Sequence, residues 1–124
     1  MFKDNFFSLI EHRKIDHSAA EFTVRFNLEH TIYQAHFPNN PITPGVCIVQ
    51  IAKELFVFLQ QTDFTIKKIK SVKFIHPIIP TVHDKVNFKM EWEDEKGLFR
   101  IKVTVYAEDT VFSKINMQVE KKDC

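Results

Sequence analysis

The segment from His36 to Gly45, HFPNNPITPG, restricts the fold more than any other part of the chain. Its three prolines, Pro38, Pro41 and Pro44, fix their own φ angle and lack a backbone N–H donor. Each also pushes the residue before it towards an extended conformation. The segment therefore cannot be a helix or a central strand, and we predict a stiff loop of defined shape.

An apolar helix is predicted to follow this loop, from Val46 to about Thr62. Thr43 is the predicted N-cap and Pro44 the predicted first helical residue. Gly45 would leave the backbone N–H groups of the helix start open to a ligand. Because a helix N-terminus carries partial positive charge, this place suits an anionic or oxyanionic group.

The predicted helix is apolar on most of its circumference, which indicates burial. Its polar residues Gln50, Lys53 and Glu54 are spaced three and four apart, so they share one narrow face with Cys47. That face must meet a cleft, a partner or solvent.

Composition indicates one domain, residues 1–124, and 13 phenylalanines supply a core and a candidate subunit interface. The 17 Lys and Arg against 16 Asp and Glu give a net charge of +1, which argues against a strongly basic nucleic-acid binder. The longest apolar run, Leu55–Leu59, is too short to span a membrane. Cys47 and Cys124 lie far apart with no signal peptide before them, so we predict reduced thiols in a cytoplasmic protein. We predict no cofactor.

The rest of the chain predicts an α+β fold in which one long central helix is wrapped by one curved antiparallel sheet. Residues 1–17 predict a short amphipathic helix acting as a lid, and Thr31–Ala35 predicts extended chain. Alternating apolar residues predict five strands, the last four in meander order. The predicted strands are Glu21–Glu29, Ile66–Ile75, Lys85–Glu93, Phe99–Val105 and Val111–Val119.

Two segments carry a family resemblance. The stretch from His36 to Ala52, HFPNNPITPGVCIVQIA, resembles the signature H-F-P-G-x-P-x-x-P-G plus apolar helix of the hot-dog-fold 3-hydroxyacyl-[acyl carrier protein] dehydratases. The stretch from Ser71 to Pro80 resembles the family's later V-K-F-x-x-P-V-x-P-G-D segment. Two glycines of those patterns are replaced here, by Asn39 and Thr81. The likeness covers roughly residues 20–119.

The resemblance implies a lyase of fatty-acid, lipid or polyketide biosynthesis. Its substrate would be a 3-hydroxyacyl chain on the phosphopantetheine of an acyl carrier protein, held in a tunnel at the interface of a homodimer or of an oligomer of dimers. His36 would be the base that removes the proton next to the thioester carbonyl, and the N–H of Gly45 would donate to that carbonyl oxygen. The other substrate-binding residues would be Phe37, Pro44, Val46 and Glu54.

The family's catalytic carboxylate, fourteen residues after the histidine, is Gln50 here. An amide cannot give a proton to a departing hydroxyl. Gln50 would then orient the hydroxyl or its water in a weakened reaction, unless a related subunit supplies the carboxylate. The other interpretations are a non-catalytic acyl-thioester binding subunit and a thioesterase.

Several residues have a structural as well as a functional interpretation. Glu54 is a candidate substitute acid, although it lies one helical turn from Gln50. Cys47 is a small apolar side chain or a low-pKa nucleophile. The lysines of the Ile66–Ile75 strand form a solvated face or guide an acidic carrier. The histidines at 30, 76 and 83 are surface residues rather than members of a metal site.

Overall fold

The computed structural model describes residues 2–35 and 41–122, which form six strands and two helices. The elements are numbered in chain order. They are β1 (Phe7–Asp16), β2 (Ala19–Phe26), α1 (Thr31–Ala35), α2 (Gly45–Gln60), β3 (Phe64–Phe74), β4 (Lys85–Glu95), β5 (Leu98–Ala107) and β6 (Thr110–Lys121).

All six strands form one antiparallel sheet in the order β1-β2-β4-β5-β6-β3. The predicted meander holds for β4, β5 and β6, but β3 pairs with β6 rather than with β4. The connection between β3 and β4 contains Pro77 and Pro80 and is too long for a tight hairpin. It carries the chain across the sheet and leaves β3 as an edge strand.

The predicted N-terminal lid helix is wrong, because Phe7–Asp16 is strand β1 and pairs with β2. Phe6, Leu9 and Ile10 do have helical spacing, but Ile10 is exposed and no helical stripe is buried. A tight turn determines the local structure instead. The backbone N–H of Ser18 donates to Oδ1 of Asp16 over 2.8 Å, which closes a β-hairpin.

The predicted extended chain at 31–35 is also wrong, because these residues form the short helix α1. The ring Nδ1 of His30 accepts the backbone N–H of Ile32 over 3.1 Å. This bond satisfies one of the free donors at a helix start, the role usually taken by Ser, Thr, Asn or Asp. Because histidine is not among the usual capping residues, the sequence pattern did not indicate a helix start here.

The core lies between α2 and one face of the sheet. Fully buried helix residues such as Ile51 and Leu55 pack in one cluster with strand residues from β2, β4, β5 and β6. The ring of Phe56 has its centroid 5.0 Å from that of Phe64 and 5.5 Å from that of Trp92. The helix is thus buried as predicted. It has 16 residues and ends at Gln60, next to Gln61 in a left-handed conformation.

No helix in the described ranges is long and apolar enough to cross a membrane.

Candidate functional site

The start of α2 presents open backbone donors. Pro44 precedes the helix with φ −62° and ψ 143°, and its carbonyl accepts the N–H groups of Cys47 and Ile48 over 3.0 and 3.2 Å. The N–H groups of Gly45 and Val46 have no acceptor among residues 2–35 and 41–122. Such first-turn donors have no partner within a helix and are open to a ligand oxygen.

Thr43 is not the N-cap predicted from the sequence. Its Oγ1 lies 2.8 Å from the hydroxyl of Tyr33, and its backbone N–H donates to the carbonyl of Ile78 over 2.9 Å. Tyr33 is buried, and desolvation raises the pKa of its phenol, so the hydroxyl stays protonated and can donate. These bonds connect α1, the residues before α2 and the Ser71–Pro80 segment, which contains Ile78.

An apolar pocket of about 330 Å³ adjoins the helix start. The segment after β3 forms one wall and the residues around Gly45 form the other. The pocket is lined by Ile42, Thr43, Gly45, Ile48, Phe74, Ile75, His76, Pro77 and Ile78. Its composition suits an apolar ligand segment that places one oxygen at the helix N-terminus.

The ring of Phe74 lies directly against Gly45. A Cβ added to Gly45 would stand 2.5 Å from Cζ of Phe74 and 2.9 Å from its Cε1, closer than carbon atoms pack. Gly45 is therefore required here for close approach rather than for backbone freedom. Phe74 is 57% exposed and Val46, next to Gly45, is 78% exposed, so apolar side chains are open to solvent near the pocket.

Gln50 and Glu54 are joined on the polar face of α2. Nε2 of Gln50 donates to Oε2 of Glu54 over 2.9 Å. Glu54 is buried, and its two oxygens also accept the backbone N–H groups of Phe2 and Lys3, each over 2.9 Å. The candidate substitute acid is thus already engaged, because it binds the N-terminal segment.

Cys47 does not have the properties of an activated thiol. It is 5% exposed, and burial raises the pKa of its thiol. Less of it is thiolate at neutral pH than for a free cysteine, which contradicts a low-pKa nucleophile. Among the described side chains, no group of three or more His, Cys, Asp and Glu could hold a metal ion.

Comparison with protein families gives a match to the ApeI-like family, described as ApeI dehydratase, over residues 11–116. This match covers most of the chain. The chain belongs to the ApeI-like dehydratase family.

Solved structures agree with the fold of this ApeI-like chain. It is similar to a structure of the dehydratase heterocomplex ApeI:P from Xenorhabdus doucetiae, with a TM-score of 0.73, 19% identity, and coverage of 91% of this chain and 96% of that one. An uncharacterized protein from Erwinia carotovora subsp. atroseptica gives a TM-score of 0.72 at 17% identity, covering 93% and 96% of the two chains.

A third similar structure is the yhdA protein of Lactococcus lactis, a proposed thioesterase. It gives a TM-score of 0.60 at 13% identity and covers 94% of this chain and 92% of that one. The six-stranded antiparallel sheet packed on one helix, together with these neighbours, establishes a hot-dog fold of the α+β class. No curated protein sequence matches the chain.

The structure places some of the predicted site residues of this ApeI-like chain on α2 and at its start. Pro44, Gly45 and Val46 lie at the helix start, Gln50 follows further along α2, and Glu54 lies one turn beyond it. The two residues that complete the predicted set, His36 and Phe37, lie outside the described residues.

Sequence patterns assigned no role to three residues that contact the site. Phe74 belongs to the Ser71–Pro80 stretch that resembles the family's V-K-F segment, and this membership could have indicated a role at the site. Phe2 and Lys3 contact Glu54 through backbone atoms, which leave no signal in side-chain patterns.

Proposed function

We propose that this ApeI-like chain dehydrates 3-hydroxyacyl thioesters carried by an acyl carrier protein. His36 takes the proton next to the thioester carbonyl, and the N–H of Gly45 donates to the carbonyl oxygen as negative charge develops on it. The observation that carries the proposal is the open helix start beside the apolar pocket. A thioester needs both a donor for its oxygen and an apolar space for its acyl chain.

Dehydration also requires a proton for the departing hydroxyl. Gln50 cannot supply it because an amide has no acidic proton near neutral pH, and Glu54 is occupied by three hydrogen bonds. We therefore propose that a related subunit supplies the missing carboxylate across a shared interface. The similar structure from Xenorhabdus doucetiae is a dehydratase heterocomplex, which supports this arrangement.

The test uses the purified chain alone and together with a related hot-dog subunit from the same source. Both are given a 3-hydroxyacyl-pantetheine thioester, and formation of the conjugated enoyl thioester is followed by ultraviolet absorbance. We expect turnover by the pair and little by the chain alone. Failure of every such pair to form the enoyl product, across short and medium acyl lengths, would contradict the proposal.

A second candidate is thioester hydrolysis or acyl-thioester binding without turnover. Gln50 favours it, because an amide can position a water or a thioester yet gives no acid for dehydration. Release of free thiol, measured with a thiol reagent in the same assay, would indicate hydrolysis. Binding of the acyl-pantetheine with neither product would indicate a binding subunit.

The edge of the sheet that ends in β3 is rich in basic residues. Strands β3, β5 and β6 carry eight basic residues, and their only acidic residue is Glu120. The four lysines of β3 are exposed, and the ring of Phe74, next to Lys73 in β3, lies against Gly45. We propose that the exposed lysines of this edge receive the acidic surface of the carrier and bring its pantetheine arm towards the helix start, where β3 ends beside Gly45.

Reversing two of these charges, with Lys68→Glu and Lys73→Glu, should raise KM for the carrier-bound substrate by about 2- to 30-fold. The range follows because each exposed ion pair contributes about 0.2–1 kcal/mol. KM for the free pantetheine thioester should not change. Lys14→Glu on β1 is the matched control and should affect neither KM. An equal rise in KM for both substrates would mean that the substitutions affect the pocket rather than the docking of the carrier.

A further inference from the structure

Glu54 is the only buried acidic side chain among residues 2–35 and 41–122, with 1% of its surface exposed. A buried carboxylate is costly unless hydrogen bonds satisfy it. Here Oε1 accepts the N–H of Lys3, and Oε2 accepts the N–H of Phe2 and the side chain of Gln50, each over 2.9 Å. The backbone of the N-terminal segment therefore holds the carboxylate in one position.

This arrangement also fixes the orientation of Gln50. Nε2 of Gln50 is the donor in the bond to Oε2 of Glu54, so the amide turns its NH₂ group towards Glu54. The amide oxygen, Oε1 of Gln50, then lies on the opposite side of the amide and faces away from Glu54. Gln50 is one turn nearer to the helix start than Glu54 is, so the amide leaves its acceptor oxygen on the side of Glu54 that is nearer to the helix start.

We propose that Glu54 is a positioning residue that fixes Gln50 as a hydrogen-bond acceptor for the substrate's 3-hydroxyl group or for the water formed from it. This inference rests on the proposed function, because the hydroxyl belongs to that substrate. The backbone N–H groups of Phe2 and Lys3 would then act on Gln50 indirectly, because they hold Glu54 in position. The alternative is that Glu54 only anchors the N-terminal segment and has no effect on Gln50.

A double-mutant cycle on kcat/KM separates the two roles. In the complex of this chain with its related subunit, Gln50→Ala and Glu54→Leu should each lower kcat/KM by about tenfold. A loss of this size follows from one misplaced hydrogen bond. The double variant should be no worse than Gln50→Ala. Glu54→Gln, which keeps the shape and one acceptor oxygen, should recover most of the activity. Losses that multiply in the double variant would overturn the proposal.

A measurement without substrate keeps the inference separate from the proposed function. The side-chain amide signal of Gln50 in a ¹⁵N-correlated NMR spectrum is identified by its loss in Gln50→Ala. This signal should shift in Glu54→Leu, while the amide signal of Gln118, on the outer face of β6, should stay in place.

Lys3→Pro removes one backbone donor to Glu54 and should also shift the Gln50 signal, whereas Lys3→Ala, which keeps that donor, should not. A Gln50 signal unchanged in both Glu54→Leu and Lys3→Pro would overturn the positioning role, even if the pair dehydrates its substrate. A shifted signal without any dehydration would instead contradict only the proposed function.

Discussion

Replacing Gln50 with glutamate should raise the dehydration rate of the isolated chain by about 10²- to 10⁴-fold, the usual contribution of a general acid. The substitution puts a carboxyl group at the helix position where the resemblance to 3-hydroxyacyl-[acyl carrier protein] dehydratases implies one. The new side chain would replace an amide whose nitrogen lies 2.9 Å from Oε2 of Glu54. A second carboxyl group this close disfavours ionisation of the new side chain, which favours the protonated form that a general acid needs.

The pH dependence follows from the proton on the new carboxyl group. The gain in rate should be present while that group holds its proton, and it should be lost as rising pH removes it. Gln50→Leu, which has no proton to give, is the matched control and should show no gain. Adding His36→Ala to Gln50→Glu should remove the gain, because the proposed base is then absent. An unchanged rate in Gln50→Glu would mean that this position does not face the hydroxyl.

Replacing Gly45 with alanine should lower kcat/KM by about 10²-fold, because a displacement of about 1 Å at a reacting group costs roughly that much. The added methyl group would occupy the space where the ring of Phe74 now lies, 2.5 Å from its Cζ atom. The ring is more than half exposed and can swing aside, so the melting temperature should change little. The thioester would then contact the added methyl group and the displaced ring of Phe74 beside the backbone N–H donor at position 45.

Two further variants locate the cause of that loss. Phe74→Ala combined with Gly45→Ala removes the clash and should restore part of kcat/KM. Gly97→Ala is the matched control, because Gly97 has φ +87° in the β4–β5 turn and no atom near its missing Cβ. It should lower the melting temperature through backbone strain while leaving kcat/KM of the folded protein unchanged. Wild-type kcat/KM in Gly45→Ala would contradict a role for this helix start.

Sequence patterns predicted those parts of the fold that depend on local periodicity. The alternation of Phe22, Val24 and Phe26 identified the buried face of β2, and the run after Gly45 identified the buried helix. Helical spacing in the N-terminal segment gave a wrong prediction, because a strand that buries few side chains shows no clear alternation. The pairing of β3 with β6 depends on how a long connection crosses the sheet, which local patterns do not encode.

In the candidate site too, the sequence predicted the features that depend on local spacing but not the long-range contacts. The spacing within α2 predicted that Gln50 and Glu54 share a face, and the structure joins them by a hydrogen bond. The partners of Glu54 at positions 2 and 3 are about fifty residues away in sequence and contact it through backbone N–H groups. Because every residue except proline has this donor, no side-chain pattern could reveal the contact.

The edge position of β3 bears on which subunits can assemble with this chain. An edge strand presents unpaired backbone groups to any neighbouring strand, and β3 offers eleven residues with four exposed lysines and no acid. Two irregularities, between Ile66 and Lys68 and between Ile69 and Ser71, distort its register. Joining two such edges would bring eight like charges together, whereas an acidic edge would neutralise them. We therefore expect these lysines to disfavour non-specific pairing of β3 with another basic edge strand.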